Sequence, residues 1–149
     1  MDDALIPPEP PSPAIVAAAM YARDTAAQSM GIKITDIQPG SAVASMPVRP
    51  DMIQGHNTCH GGMIFSLADT AFAYACNSQN QATVAAGCNI EFLKPAFLDD
   101  LLTADARQVT LSGRSGIYDV LVSNQHGEII AVFRGKSAAI KGQVIPQAE

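Results

Sequence analysis

Between Gly62 and Asn77 the chain is apolar nearly all the way round, with Met63, Ile64, Phe65, Leu67, Ala68, Ala71, Phe72, Ala73, Tyr74 and Ala75 leaving almost no face for water. A helix of this kind must be buried, and its many alanines let other backbones approach closely. The rest of the chain therefore has to enclose it. Two strand-like runs precede it, Ile32 to Gln38 and Ser41 to Val48, joined at Pro39-Gly40 as in a hairpin. Four follow, at about Thr83 to Lys94, Leu101 to Leu111, Ile117 to Asn124 and Ile129 to Ile140, punctuated by Pro95, Ser112-Gly113 and His126-Gly127. An antiparallel β-sheet wrapped around one long central helix buries that helix economically, so the expected class is α+β. Upstream, the alanine-rich stretch from Ala14 to Met30 predicts a helix that stops at Gly31. Residues 1–13, with Pro7, Pro8, Pro10, Pro11 and Pro13, read as an extended disordered arm, and 14–149 as a single domain.

The start of the central helix carries the chemistry. Gly61 and Gly62 leave backbone N–H groups open at a positive helix end, where a developing oxyanion can be held. Asp69 is a carboxylate on an otherwise greasy helix, with Phe65, Phe72 and Ala73 as same-face neighbours, and its burial is costly unless it is paired or useful. It lies eight residues beyond Gly61, or ~12 Å along the axis at about 1.5 Å per residue. One carbonyl group cannot span that distance. If both residues act on one substrate atom, each site takes its N–H from one subunit and its carboxylate from another, and the protein is a dimer with shared active sites. The bland alternatives are a hydrogen-bonded structural aspartate and a glycine pair needed only for packing.

At 149 residues and a formal charge of −5, the chain argues against nucleic acid or an anionic membrane as a partner. Cys59, Cys76 and Cys88 form no CxxC pair, the start Met1-Asp2-Asp3 lacks a basic signal-peptide region, and no apolar run is long enough to cross a bilayer. A cytoplasmic location is expected. The run His56-x-x-Cys59-His60 could be read as metal ligands, but three ligands within five loop residues suit a tetrahedral site poorly. Cys59 beside His60 is a weak nucleophile pair, because adjacent side chains diverge. Gly135-Lys136-Ser137 mimics the end of a phosphate-binding loop but has Ile130 where the first glycine is required.

Three blocks also carry a family resemblance from about Tyr21 to Val144: Gly55 to Gly62 with Phe65 to Ser78, Asn89-Ile90-Glu91-Phe92-Leu93-Lys94-Pro95, and Phe133 to Ser137. At these spacings the chain resembles the hotdog-fold acyl-CoA thioesterases of the PaaI (phenylacetate degradation) type. The resemblance implies a hotdog fold and hydrolysis of phenylacetyl-CoA or hydroxyphenylacetyl-CoA to free acid and CoA. No cofactor is implied, since CoA is part of the substrate. Asp69 becomes the catalytic carboxylate, as general base or nucleophile, and the Gly61 N–H polarises the thioester carbonyl, with His60 beside it. Gln54 stands where the family usually has an asparagine that orients water or carbonyl, and its amide offers the same groups. A CoA tail needs a few cations. Arg114, Arg134 and Lys136 are the candidates among Lys94, Arg107, Arg114, Arg134 and Lys136, although solvated strand surface is the commoner fate of such residues. The expected assembly is a homo-oligomer of shared-site dimers, as a tetramer. The rivals are a hotdog enoyl-CoA hydratase, with His60 as the only plausible histidine, and a non-catalytic acyl-CoA-binding protein, which has no use for Asp69.

Overall fold

Residues 9–146 are described by a computed structural model. Ser12 accepts the Ile15 N–H at 3.3 Å and Pro13 fills the first helical turn, so α1 begins at Pro13 and runs to Arg23. Ser12 and Pro13 thus belong to the helix start and not to the expected arm, of which residues 1–8 lie outside the described residues. The single helix expected from Ala14 to Met30 is in fact two. Asp24 (φ −87°, ψ 72°) leaves helical geometry, ends α1, and accepts the Ala27 N–H at 3.0 Å to start α2 (Thr25–Ser29). A short acidic side chain competing for backbone amides breaks a run that alanine propensity alone would continue.

The strands are β1 (Lys33–Gln38), β2 (Ser41–Pro47), β3 (Gln81–Phe92), β4 (Leu101–Ser112), β5 (Ser115–Ser123) and β6 (Ile129–Gln143), and the central helix is α3 (Gly61–Asn77). All six form one antiparallel sheet in the order β1-β2-β4-β5-β6-β3. Its inner face meets α3 through Ala42, Ala44, Met46, Leu102, Ala104, Ala106, Tyr118, Val120, Val122 and Phe133, all buried. Small residues oppose one another across β2 and β4, Ala42 with Ala106 and Ala44 with Ala104, which lets the helix settle close to the sheet. Around it, Phe72 stands edge-on to Tyr118 at 5.5 Å and tilted against Phe133 at 5.7 Å.

Gly135 on β6 makes this cluster possible, because a Cβ there would lie 2.8 Å from the Phe72 ring. Gly135→Ala should therefore cost about 1–3 kcal/mol through overpacking, read as a lower Tm. A melt indistinguishable from the parent's would show that Phe72 has room to move. The far end of α3 is pinned by Asn77, whose Nδ2 donates to Ala73 O and Thr83 O and whose Oδ1 accepts the Thr83 N–H. Ser78 Oγ accepts the Gly40 N–H at 2.9 Å, tying the same end to the β1–β2 hairpin. The helix axis is thus fixed relative to β3, the sheet edge that runs beside Asp69.

Candidate active site

The loop before α3 is held shut at its base. Ile53 and Cys59 form an isolated antiparallel bridge, Cys59 N–H donates to Ala96 O, and His60 N–H donates to Met52 O at 2.7 Å. His60 then caps α3: its Nδ1 accepts the Gly62 N–H at 2.8 Å and its carbonyl accepts the Met63 N–H at 2.9 Å. Because Nδ1 is an acceptor here, the proton of the neutral ring belongs on Nε2. Gly62 and Met63 are thereby satisfied, and the Gly61 N–H has no acceptor among the described residues. An open N–H at a helix start carries the partial positive charge of the macrodipole.

Gly61 also packs closely against β3. A Cβ there would meet the Phe92 ring at 3.2 Å, so this ring lies directly on the Gly61 backbone. Gln54, Thr58, Cys59, Gly61, Ile64 and Phe92 line a hollow of about 390 Å³, with Lys94 and Pro95 at its rim. The structure therefore brings together Gln54 and Gly61, two of the residues expected in the site. The Gln54 amide is not loose: Nε2 donates to Thr58 Oγ1 at 2.9 Å. His60 is exposed and does not line this hollow; its visible work is capping.

Asp69 does not line the hollow either, as its distance along α3 requires. It is half-buried with no hydrogen bond or ion pair among the described residues. Burial pushes its pKa above the ordinary aspartate value. Cys76 and Cys88 are its electrostatic neighbours, and both thiols are raised, first by their own burial and further by the Asp69 charge, Cys76 to about 12. Cys59 is pushed up to about 11, by burial and then by Asp100, so it is a thiol and not a thiolate nucleophile at neutral pH. No group of three or more His, Cys, Asp or Glu side chains converges among the described residues.

The three expected nucleotide contacts separate. Arg134 and Lys136 project side by side from the outer face of β6, beside Cys88 and Asn89 of β3, and Arg134 is held by Asp119 at 2.6 and 2.8 Å. Arg114 sits in the β4–β5 turn and lines a different hollow, beside Ser78 and Gln81 at the C-terminal end of α3, although its carbonyl accepts the Ala139 N–H of β6. Lys94, at the rim of the Gly61 hollow, pairs with Glu128 at 2.9 Å. Sequence reasoning did not assign roles to Thr58 and Phe92, although both stand inside the blocks that carried the resemblance.

One buried helix inside a curled antiparallel sheet, with an open N–H at its start and an unpaired carboxylate two turns on, defines a hotdog-fold thioester-cleaving scaffold. The chain belongs to the thioesterase superfamily, whose family model matches residues 56–131. It is 48% identical over 130 residues to the acyl-coenzyme A thioesterase PaaI of Escherichia coli K12, covering 87% of this chain and 93% of that protein. The solved structure of the E. coli PaaI protein from the phenylacetic acid degradation operon superposes with a TM-score of 0.87, covering 88% of this chain and 95% of that one. A hypothetical thioesterase from Streptococcus pneumoniae solved with coenzyme A matches with a TM-score of 0.77 at 25% identity, covering 83% of this chain and 98% of that one.

Proposed function

We propose that the protein is an acyl-CoA thioesterase that hydrolyses aryl-acetyl-CoA thioesters, of the phenylacetyl-CoA or hydroxyphenylacetyl-CoA type, through active sites shared between subunits. The observation that carries this reading is the pair on α3: an N–H at Gly61 and a carboxylate at Asp69, neither with a partner among the described residues. The thioester carbonyl oxygen docks on the Gly61 N–H of one chain. Asp69 of the other takes a proton from water as the water oxygen attacks the acyl carbon, and the Gly61 N–H holds the resulting oxyanion. Collapse of the tetrahedral intermediate breaks the C–S bond, and the proton held by Asp69 passes to the departing thiolate, leaving the free acid, CoA and an ionised Asp69. Burial raises Asp69 and so makes it a stronger base than an exposed aspartate.

Strand β3 supports the shared site. It is a twelve-residue sheet edge, exposed along most of its length, with Val84 and Phe92 open to water. Natural sheets cover such edges, and pairing β3 with its copy about a two-fold axis runs two α3 helices antiparallel. Leu121 and Val132, exposed on the outer sheet face, suit the packing of two such dimers into a tetramer. In this assembly Arg134, Lys136 and Arg114 are the candidates for the CoA phosphates. Three free cysteines fit a reducing cytoplasm.

Free thiol measured as CoA is released from phenylacetyl-CoA, hydroxyphenylacetyl-CoA and aliphatic acyl-CoAs tests the reading. Aryl-acetyl substrates should give the highest kcat/KM. An enoyl-CoA converted to its hydroxyacyl-CoA, with the thioester intact and no thiol released, would indicate a hydratase, and binding without turnover a sensor. The pH profile offers a second check: kcat/KM should fall as pH drops through the raised Asp69 pKa, because only the ionised form accepts a proton. An acid limb centred at or below the ordinary aspartate range would contradict the role.

A further inference from the structure

Gln54 offers the site an amide on a flexible side chain, and an untethered glutamine loses considerable rotamer freedom whenever it acts. The loop relieves that loss. Gln54 and Thr58 face each other across a tight turn: Gln54 N–H donates to Thr58 O at 2.9 Å, and Asn57 N–H donates to Gln54 O at 3.0 Å. Asn57 takes the left-handed conformation (φ 62°) that closes the turn. The Ile53–Cys59 bridge locks the next pair. On this frame both side chains fall on the same side and line the hollow at Gly61, where Gln54 Nε2 donates to Thr58 Oγ1 at 2.9 Å. Gln54 Oε1 accepts nothing among the described residues.

We infer that Thr58 is a positioning residue, which holds the Gln54 amide with Nε2 turned into the loop and Oε1 turned to the hollow, so that Oε1 accepts an O–H of the attacking water. This rests on the thioesterase reading. An acceptor oxygen suits a water hydrogen and repels an oxyanion, so the orientation gives Gln54 the water and leaves the carbonyl to the Gly61 N–H. The division of labour uses both groups of the hollow without overlap.

The test uses the full chain with phenylacetyl-CoA and compares Thr58→Val, which keeps shape and loses the hydroxyl, with Thr58→Ser, which keeps it. Thr58→Val should lower kcat about tenfold, the worth of one hydrogen bond, with KM little changed. Thr58→Ser should recover most of that loss. In a Gln54→Ala background Thr58→Val should cost nothing more, since the two act as one unit. A kcat for Thr58→Val within about twofold of the parent, or a loss that adds in full to that of Gln54→Ala, overturns the inference. So does a Gln54→Ala variant as active as the parent. A parent chain that releases no thiol from any acyl-CoA sinks the thioesterase reading itself, and this inference with it; an active parent indifferent to Thr58→Val discards only the positioning role.

Discussion

Asp69→Asn should lose about 10²–10⁴-fold in kcat, the usual worth of a positioned proton acceptor, while the fold and assembly survive. The substitution is nearly isosteric and disturbs no side-chain hydrogen bond, since the Asp69 carboxylate makes none among the described residues. Stability should move in the opposite direction from activity. With its folded-state pKa raised by burial, Asp69 holds its proton more tightly folded than unfolded, so the ionised carboxylate counts against the fold at neutral pH. Asparagine removes that charge, and the variant's Tm at neutral pH should equal or exceed the parent's. The difference should vanish in acid below the ordinary aspartate pKa, where the parent carboxyl is protonated in both states. A residue kept for structure behaves otherwise: its loss lowers Tm and spares turnover. Turnover within a few-fold of the parent, or a clear fall in Tm, would move the catalytic role elsewhere.

The same linkage of burial to function explains why α3 was so legible in the sequence. A helix apolar on all sides, with glycine at its start and Asn77 at its end, admits few arrangements, and the turn residues around it delimit every strand to within a few positions. Features that depend on a single side chain competing for backbone, or on contacts between distant segments, were not legible. Asp24 splits an alanine-rich helix through two local hydrogen bonds that propensity does not weigh. The fit of Gly135 against Phe72 joins residues 63 positions apart, and nothing in either segment announces it. In the site, the spacing of Gly61 and Asp69 could be read because a helix has a fixed rise. The grip of Thr58 on Gln54 could not, because four residues of loop have no fixed geometry. The cations fared worst: Arg114 and Arg134 are both on the β4–β6 half of the chain, but one stands in a turn and the other in mid-strand beside Asp119, and they line different hollows.

Reassorted subunits should show that each active site belongs to two chains. Gln54 and Gly61 line a hollow that Asp69 does not; on the proposed shared site, the carboxylate comes from a second copy whose α3 runs antiparallel. Asp69→Asn chains retain a sound Gln54, and Gln54→Ala chains retain a sound Asp69. If the two are unfolded together and refolded, about half of the dimers are mixed by random pairing. Each mixed dimer holds one site with both residues intact and one with both damaged, so the mixture should reach roughly a quarter of parental activity from two poorly active parents. The separately refolded Gln54→Ala protein sets the baseline, and the gain must exceed it. Activity equal to the plain average of the two variants would mean that Gln54, Gly61 and Asp69 meet within one chain. That outcome would stand against the ~12 Å that α3 places between Gly61 and Asp69. The mixing experiment therefore weighs the helix geometry directly against the chemistry assigned to its two ends.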